Sequence, residues 1–353
     1  MSVPTTDSHM YQTMHRQPAD LRRLLGEGWQ QAAQAAELLR PAHRIWTVGV
    51  GTSYHAALMA GWYLRAAGYD ARAINSYEFA YYPENFPLGP GDAVAIFAHS
   101  GVKAVSSAAM QRAVDAGVTV ISAGAFTSEH PGSQLILRTT EREQSAAFTA
   151  SHLAAMTVFA QVATELGGAG TTGFREALEL LPAQVDDILA REGDILPVAE
   201  LAVERRIYAS GAGPNEVAAI ESVIKVREAA YGWIDALGTE QFLHGPVVAF
   251  NAGDLGIVIN VPGASTWRTE ATARVLAALD GVVWLVGQGV AGLDNAHVFT
   301  TPATLELISP LLTVIPMQLL AYHMAVLKGL NPDTFRRDNE TYNAAFEGGA
   351  MLR

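Results

Sequence analysis

The sequence predicts an α/β protein made of two tandem, doubly wound parallel-sheet domains, with a helical arm before the first and a polar tail after the second. Two observations carry this expectation. The stretch RIWTVGVGTSYHAALMAGWYLRAA, from Arg44, returns as RIYASGAGPNEVAAIESVIKVREAA, from Arg206. A shift of 162 positions, Arg44 to Arg206, also pairs Gly49 with Gly211, Gly51 with Gly213 and Arg65 with Arg227 without a gap. It pairs Gly91-Asp92 with Gly253-Asp254 and Gly101 with Gly263, and a small slip then brings Gly117 opposite Gly281. Repetition on this length scale is domain duplication rather than a solenoid. The second observation is the order of patterns within each copy: strand, glycine turn, helix, strand, loop, helix, strand. Apolar runs on successive strands separated by helices imply a parallel sheet covered on both faces.

The elements follow in order. The segment ADLRRLLGEGWQQAAQAAELLR has helical spacing and forms the arm, within residues 1–43. In the first domain, 44–195, RIWTVGV, DAVAIFA and VTVISAG read as strands, while HAALMAGWYLRAAG and KAVSSAAMQRAVDAG read as helices. The stretches EALELLPAQVDDILAR and ILPVAELAVE lead helically into the second domain, 196–330. There RIYAS, LGIVINV and VVWLVG are the strands, and NEVAAIESVIKVREAA and STWRTEATARVLAALDG the helices. ELISPLLTVIPMQLLAYHMAVLKGL is a long apolar helix that Pro316 is expected to kink or split. The tail is 331–353.

Composition narrows the function classes. A chain of 353 residues with 50% hydrophobic content supports sizeable cores. The net charge of -12, with lysine only at Lys103, Lys225 and Lys328, argues against nucleic acid and anionic membrane as partners and for small molecules. Without cysteine there is no disulfide, thiolate nucleophile or cysteine-ligated zinc. The N-terminal residues lack a signal-peptide core, and no long uninterrupted apolar run suggests a membrane span, so a cytoplasmic protein is expected. His55, His99, His152 and His244 show no metal-ligand spacing, and no cofactor is implied.

In open parallel sheets ligands bind beyond the carboxyl ends of the strands, where helix N-termini offer N–H groups and partial positive charge. Two turns of the first copy fit. GVGTSYH places Gly51, Thr52 and Ser53 at a helix start, and AHSGVK places His99, Ser100, Gly101 and Lys103 after the next strand. Hydroxyl-glycine turns meeting at one crevice suit a phosphate monoester, with Lys103 adding charge. The plainer role of Thr52, Ser53 and Ser100 is helix capping. A dinucleotide fingerprint is disfavoured, because Tyr54 stands at the third glycine and Asp70 precedes its strand. In the second copy Pro214-Asn215 and Val261-Pro262 replace the hydroxyls, so that crevice is expected to hold no phosphate. It carries instead Glu228 and, further on, Glu240 and His244. Glu228 and His244 read as an acid/base pair; the bland alternatives are a solvated Glu228 ion-paired with Lys225 and a loop histidine.

The ordered motifs MYQTMHRQP, GTSYHAA, SYEFAYY, AHSGVKA, VIKVREAAY, LHGPVVAF and IPMQLLAYHMAVLKGLNPD resemble those of the sugar isomerase (SIS) domain family, in particular the isomerase half of the glucosamine-6-phosphate synthases. The resemblance implies two SIS domains and an aldose-ketose interconversion of a hexose or aminosugar 6-phosphate through an enediol or enolamine. It implies that Thr52, Ser53, His99 and Ser100 hold the phosphate, that Glu228 moves the proton between C1 and C2, that Lys225 contacts the sugar, and that His244 assists ring opening. In the family the His244 loop can come from a neighbouring subunit, which implies a homodimer. The departures are a missing glutaminase half, a lysine where threonine is usual (Lys103), and Glu340 at or beside the tail position of the family's Schiff-base lysine. The segment EREQSAAFTASH also differs from its counterpart, leaving Ser145, Thr149 and Ser151 as binding candidates. These point to a phosphosugar isomerase or aminosugar-phosphate deaminase. The alternatives are a non-catalytic phosphosugar sensor and a subunit fed ammonia by a separate glutaminase.

Overall fold

The computed structural model describes residues 7–348. The chain forms two compact units. One is built from Arg16–Gln144 and Phe148–Pro182 with residues 336–348; the other from residues 7–15, Ser145–Ala147 and Ala183–Phe335. Each contains one five-stranded, all-parallel sheet, so they are called here the first-sheet and second-sheet units.

Ahead of the first sheet lie α1 (His9–Glu27) and α2 (Trp29–Leu39). The arm therefore begins earlier than its pattern suggests and is broken at Gly28, where a Cβ would lie 2.3 Å from the Leu24 carbonyl oxygen. The first sheet comprises β1 (Arg44–Gly49), β2 (Asp70–Asn75), β3 (Asp92–Phe97), β4 (Thr119–Gly124) and β5 (Leu135–Arg138), in the order β2-β1-β3-β4-β5. Its helices are α3 (Thr52–Ala66), α4 (Ser76–Tyr81), α5 (Ala104–Asp115), α6 (Ala150–Leu166) and the start of α7 (Phe174–Ala190). Trp46, Val48, Val94, Ile96 and Val120 on one face of the sheet pack against Phe79 of α4 and Ala109, Met110 and Ala113 of α5.

The second-sheet unit adds α8 (Leu196–Ala202), β6 (Ile207–Gly211), α9 (Glu216–Ala230), β7 (Ile234–Gly238), α10 (Thr239–Leu243), β8 (Leu255–Asn260), α11 (Thr266–Ala278), β9 (Val282–Gly287), β10 (His297–Thr300) and α12 (Pro310–Leu327). Its strand order, β7-β6-β8-β9-β10, repeats that of the first sheet. The short α13 (Glu340–Gly348) carries Glu340 at its first position.

Three strands per copy are evident in the sequence, and the structure has five per sheet. The extra ones, β2 and β5, β7 and β10, lie at the sheet edges, where partial exposure replaces the apolar run by mixtures such as DARAIN and HVFT. Pro316 does not split α12, which runs unbroken from Pro310 to Leu327. The residues from Pro310 to Ala325 are all buried, with α12 packed on α8 and α9, and that burial outweighs the roughly 3 kcal/mol cost of an interior proline. By length and composition α12 is apolar enough to cross a membrane, but it is the core helix of this unit.

Candidate functional site

A sheet of order 2-1-3-4-5 reverses direction between its first and third strands, and the crevice for a ligand opens outside their carboxyl ends. Here those are β1 and β3. After β1 the chain turns through Gly49 and Gly51 into α3. A Cβ on Gly49 would stand 2.3 Å from the Ser53 carbonyl oxygen, and Gly51 has φ +58°, so both positions need glycine. The turn delivers Thr52 and Ser53 to the helix start. After β3 come His99 and Ser100, then Gly101 at φ +96° and Lys103, which caps α5 through a backbone N–H bond to Ser106 Oγ at 2.8 Å.

Thr52, Ser53 and His99 meet at a cavity of about 20 Å³, whose wall also includes Thr139, Phe148, Ser151 and His152. Ser100, Gly101 and Lys103 follow His99 along the loop without lining the cavity, and the Lys103 side chain is exposed. Ser145 and Thr149 do not line it either. Ser145 Oγ accepts the Ala147 N–H at 3.2 Å inside the second-sheet unit, while Thr149 is bound to Glu143.

Glu143 escapes a motif-based reading. It is buried, and its carboxylate accepts the N–H groups of Thr149 at 2.9 Å and Ser151 at 2.7 Å, capping α6. Its own N–H donates to His99 Nε2 at 3.1 Å. Burial, followed by the charges of Arg142, Arg16 and His130, holds His99 down at about 4. His130 is also held at about 4, by burial and Arg138 against a hydrogen bond to the backbone of Ala98. Ser151 and His152 lie in the first turn of an almost wholly buried helix, where periodicity does not separate cavity wall from core. Among the described residues no group of three metal-ligating side chains occurs.

The β6–α9 turn repeats the β1–α3 geometry, with a Cβ on Gly211 falling 2.2 Å from the Asn215 carbonyl oxygen and Gly213 at φ +56°. Its polar capacity is spent internally. Asn215 is buried, donating to Ser309 Oγ at 2.8 Å and accepting from Thr313 Oγ1 at 2.8 Å. At the next turn Glu306 accepts the Ala264 N–H at 3.1 Å and the Ser265 hydroxyl at 3.4 Å, and fills the space a Cβ on Gly263 would take. A carboxylate of the chain itself thus sits at the N-terminus of α11, on the turn that corresponds by sequence repeat to the Gly101 turn.

Glu228 lies in the last turn of α9, which runs antiparallel to the strands, so it stands at the amino edge of the sheet. Neighbouring Arg227 donates to the carbonyl of Ile234, the first residue of β7. Lys225 has no exposed surface. Its ammonium lies 2.7 Å from Glu228 Oε2 and 3.6 Å from Glu221 Oε1, and it touches carboxylates rather than an open crevice. Glu228 keeps 21% of its side chain exposed. Lys328 donates to the Ala230 carbonyl at 2.7 Å, closing the same helix end. His244 caps α10 and is 75% exposed; it bonds Glu240 at 3.2 Å, and Glu240 in turn binds Arg268 in the first turn of α11. That places His244 toward the carboxyl edge. The structure does not bring Glu228 and His244 of one chain together as a pair: α9 alone spans about 20 Å.

No protein-family model matches the sequence. The chain is 27% identical over 333 residues to a glutamine–fructose-6-phosphate aminotransferase (isomerising) of Pyrococcus horikoshii and 29% identical over 355 residues to that of Gloeobacter violaceus, with 92% of the chain covered in each case. It spans 56% of the length of each relative. Among solved structures, the C-terminal domain of glucosamine-fructose-6-phosphate aminotransferase from Francisella tularensis superposes with a TM-score of 0.83 at 19% identity, covering 94% of this chain and all of that one. Tagatose-6-phosphate ketose/aldose isomerase from Escherichia coli gives 0.76 at 18% identity, covering 95% and 97%, and glucosamine-6-phosphate deaminase from Thermotoga maritima 0.72 at 20%, covering 93% and 97%. Sequence similarity along nearly the whole chain and a fold shared over that length make this chain similar to the sugar isomerase (SIS) proteins, resembling in particular the isomerase region of the glutamine–fructose-6-phosphate aminotransferases.

Proposed function

We propose that this protein is a phosphosugar enzyme that moves a proton between C1 and C2 of a hexose or aminosugar 6-phosphate, as an isomerase or an aminosugar-phosphate deaminase. The observation that carries the reading is the buried Lys225 ammonium 2.7 Å from the partly exposed Glu228 carboxylate. A carboxylate that abstracts a proton from carbon must be presented in one orientation and one protonation state. A buried cation bonded to the carboxylate supplies both. Glu228 takes the proton from one carbon and returns it to its neighbour. Lys225 acts through Glu228 as a positioning residue, a different role from the sugar contact implied by family resemblance.

The phosphate falls to the first-sheet unit, at Thr52, Ser53 and His99, with Ser100 and Gly101 on the adjoining loop. Two tandem SIS domains, 44–195 and 196–330, divide these tasks. The second crevice, with Glu306 on its helix N-terminus, takes no phosphate. His244 assists ring opening, and its separation from Glu228 within a chain supports its delivery by the other subunit of a homodimer. The Glu340 side chain does not supply the amine that the family's tail lysine supplies, which favours isomerase or deaminase chemistry over amide-nitrogen transfer. A chain fed by a separate glutaminase and a non-catalytic sensor are the competing assignments.

The test is deuterium exchange at C2, followed by NMR in deuterated water with fructose, glucose, glucosamine and fructosamine 6-phosphates. Wash-in that drops by several orders of magnitude in Glu228→Gln, with affinity held within a few-fold, establishes the assignment. Binding of these sugars without exchange in the wild-type protein makes it a sensor.

A further inference from the structure

We propose that His99 is a neutral hydrogen-bond donor, through Nδ1–H, to an oxygen of the phosphate monoester held in the first-sheet unit, so that this cradle reads its anion with no lysine or arginine among the described residues of the cavity wall. The inference rests on the phosphosugar assignment above and adds the charge state in which the ligand is recognised.

The tautomer follows from geometry. His99 Nε2 accepts the N–H of Glu143 at 3.1 Å, and a ring nitrogen that accepts carries no proton. In the neutral ring the proton is therefore on Nδ1. Nδ1 is buried and has no hydrogen-bond partner among the described residues, while the residue as a whole is 8% exposed. The ring forms part of the wall of the small cavity beside Thr52 and Ser53, which has room for one oxygen-sized group. A buried donor left unpaired is costly, and buried polar groups in folded proteins are nearly always satisfied. A ligand oxygen in this cavity satisfies it.

The surroundings oppose a second proton on the ring. Arg16 of α1, Arg142 before α6 and His130 after β4 all act against positive charge there. The Phe148 ring meets His99 edge to face at 5.1 Å, and His152 of α6 lines the same cavity. The nearby carboxylate, Glu143, is turned to the N–H groups of Thr149 and Ser151. Among the described residues no lysine, arginine, aspartate or glutamate lines the cavity. Recognition by neutral donors makes affinity follow the dianion fraction of the ligand, whose second ionisation lies at about 6. An imidazolium at His99 would instead strengthen binding as pH falls from 7 to 5.

The experiment combines NMR of ¹⁵N-histidine-labelled protein from pH 5 to 8 with calorimetric binding of fructose 6-phosphate and glucosamine 6-phosphate. The same calorimetry is run on His99→Gln, whose amide both accepts and donates, and on His99→Leu, which fills volume without donating. The expected result is an Nδ1–H tautomer that does not titrate over this range, affinity that falls below pH 6, a Gln variant within about 3-fold of wild type and a Leu variant weakened about 10-fold or more. An Nε2–H tautomer, an imidazolium at pH 6, or unchanged affinity in His99→Leu overturns the inference and leaves the phosphosugar assignment standing. Wild-type protein that binds neither sugar phosphate overturns both.

Discussion

At the residue scale, the Glu221–Lys225–Glu228 group shows why position on a helix matters more than residue type. Spacings of four and three put both carboxylates on the face of α9 that carries the lysine, and Glu221 and Lys225 on it are fully buried. Removing Lys225 leaves Glu221 buried without its cation, so Lys225→Met is expected to destabilise folding by about 3–5 kcal/mol, measured by urea denaturation. Glu228→Gln, at a partly exposed position, should cost far less, and equal losses would show that Glu228 is structural. His99 and His130 give a second prediction. Both have folded-state values near 4, below the ordinary 6.5, so the native state binds fewer protons than the unfolded chain. Their contribution is complete above about pH 6.5 and is lost as pH falls toward 4. The melting temperature should drop across that window, and His99→Gln should flatten the drop.

At the element scale, the two copies use one turn geometry for two purposes. Gly49/Gly51 and Gly211/Gly213 shape the same entry into a helix, yet the first lines a cavity with hydroxyls while the second carries Pro214 and Asn215. In the second, Glu306 supplies the negative charge that the N-terminus of α11 favours. Glu306→Ala is expected to lower stability by about 1 kcal/mol, a loss that urea denaturation resolves, without changing phosphosugar affinity. A loss of phosphosugar binding would assign the second crevice a part in recognition. The turns were legible in the sequence because glycine and hydroxyl residues mark them directly. Glu306 was not, since it lies some forty positions from the turn it caps and only folding brings it there. The edge strands β2, β5, β7 and β10 were hidden for a different reason: exposure on one side removes the apolar run that identifies a buried strand.

At the scale of the whole molecule, the proposed homodimer has a direct consequence. If Glu228 of one subunit works with His244 of the other, mixing inactive Glu228→Gln and His244→Ala chains should restore activity in half the sites of each mixed dimer. Random reassociation then yields about a quarter of wild-type activity, read by the same deuterium exchange. No recovery on mixing, in a protein shown to exchange subunits, would place the two residues in separate roles. Sedimentation of the wild-type chain gives the oligomeric state independently.

The sequence by itself determined the α/β class, the repeat, the glycine turns and the hydroxyls after β1, because these are written in local periodicity and in backbone conformations that few residues tolerate. Only the tertiary structure decided that Lys225 is sealed between two carboxylates, that His244 stands away from Glu228, that Glu143 fixes His99 as an acceptor at Nε2, and that Glu306 occupies the second crevice. Each of these depends on burial or on contacts across turns and helices, and a side chain's charge and hydrogen-bonding role are set by what the fold packs against it.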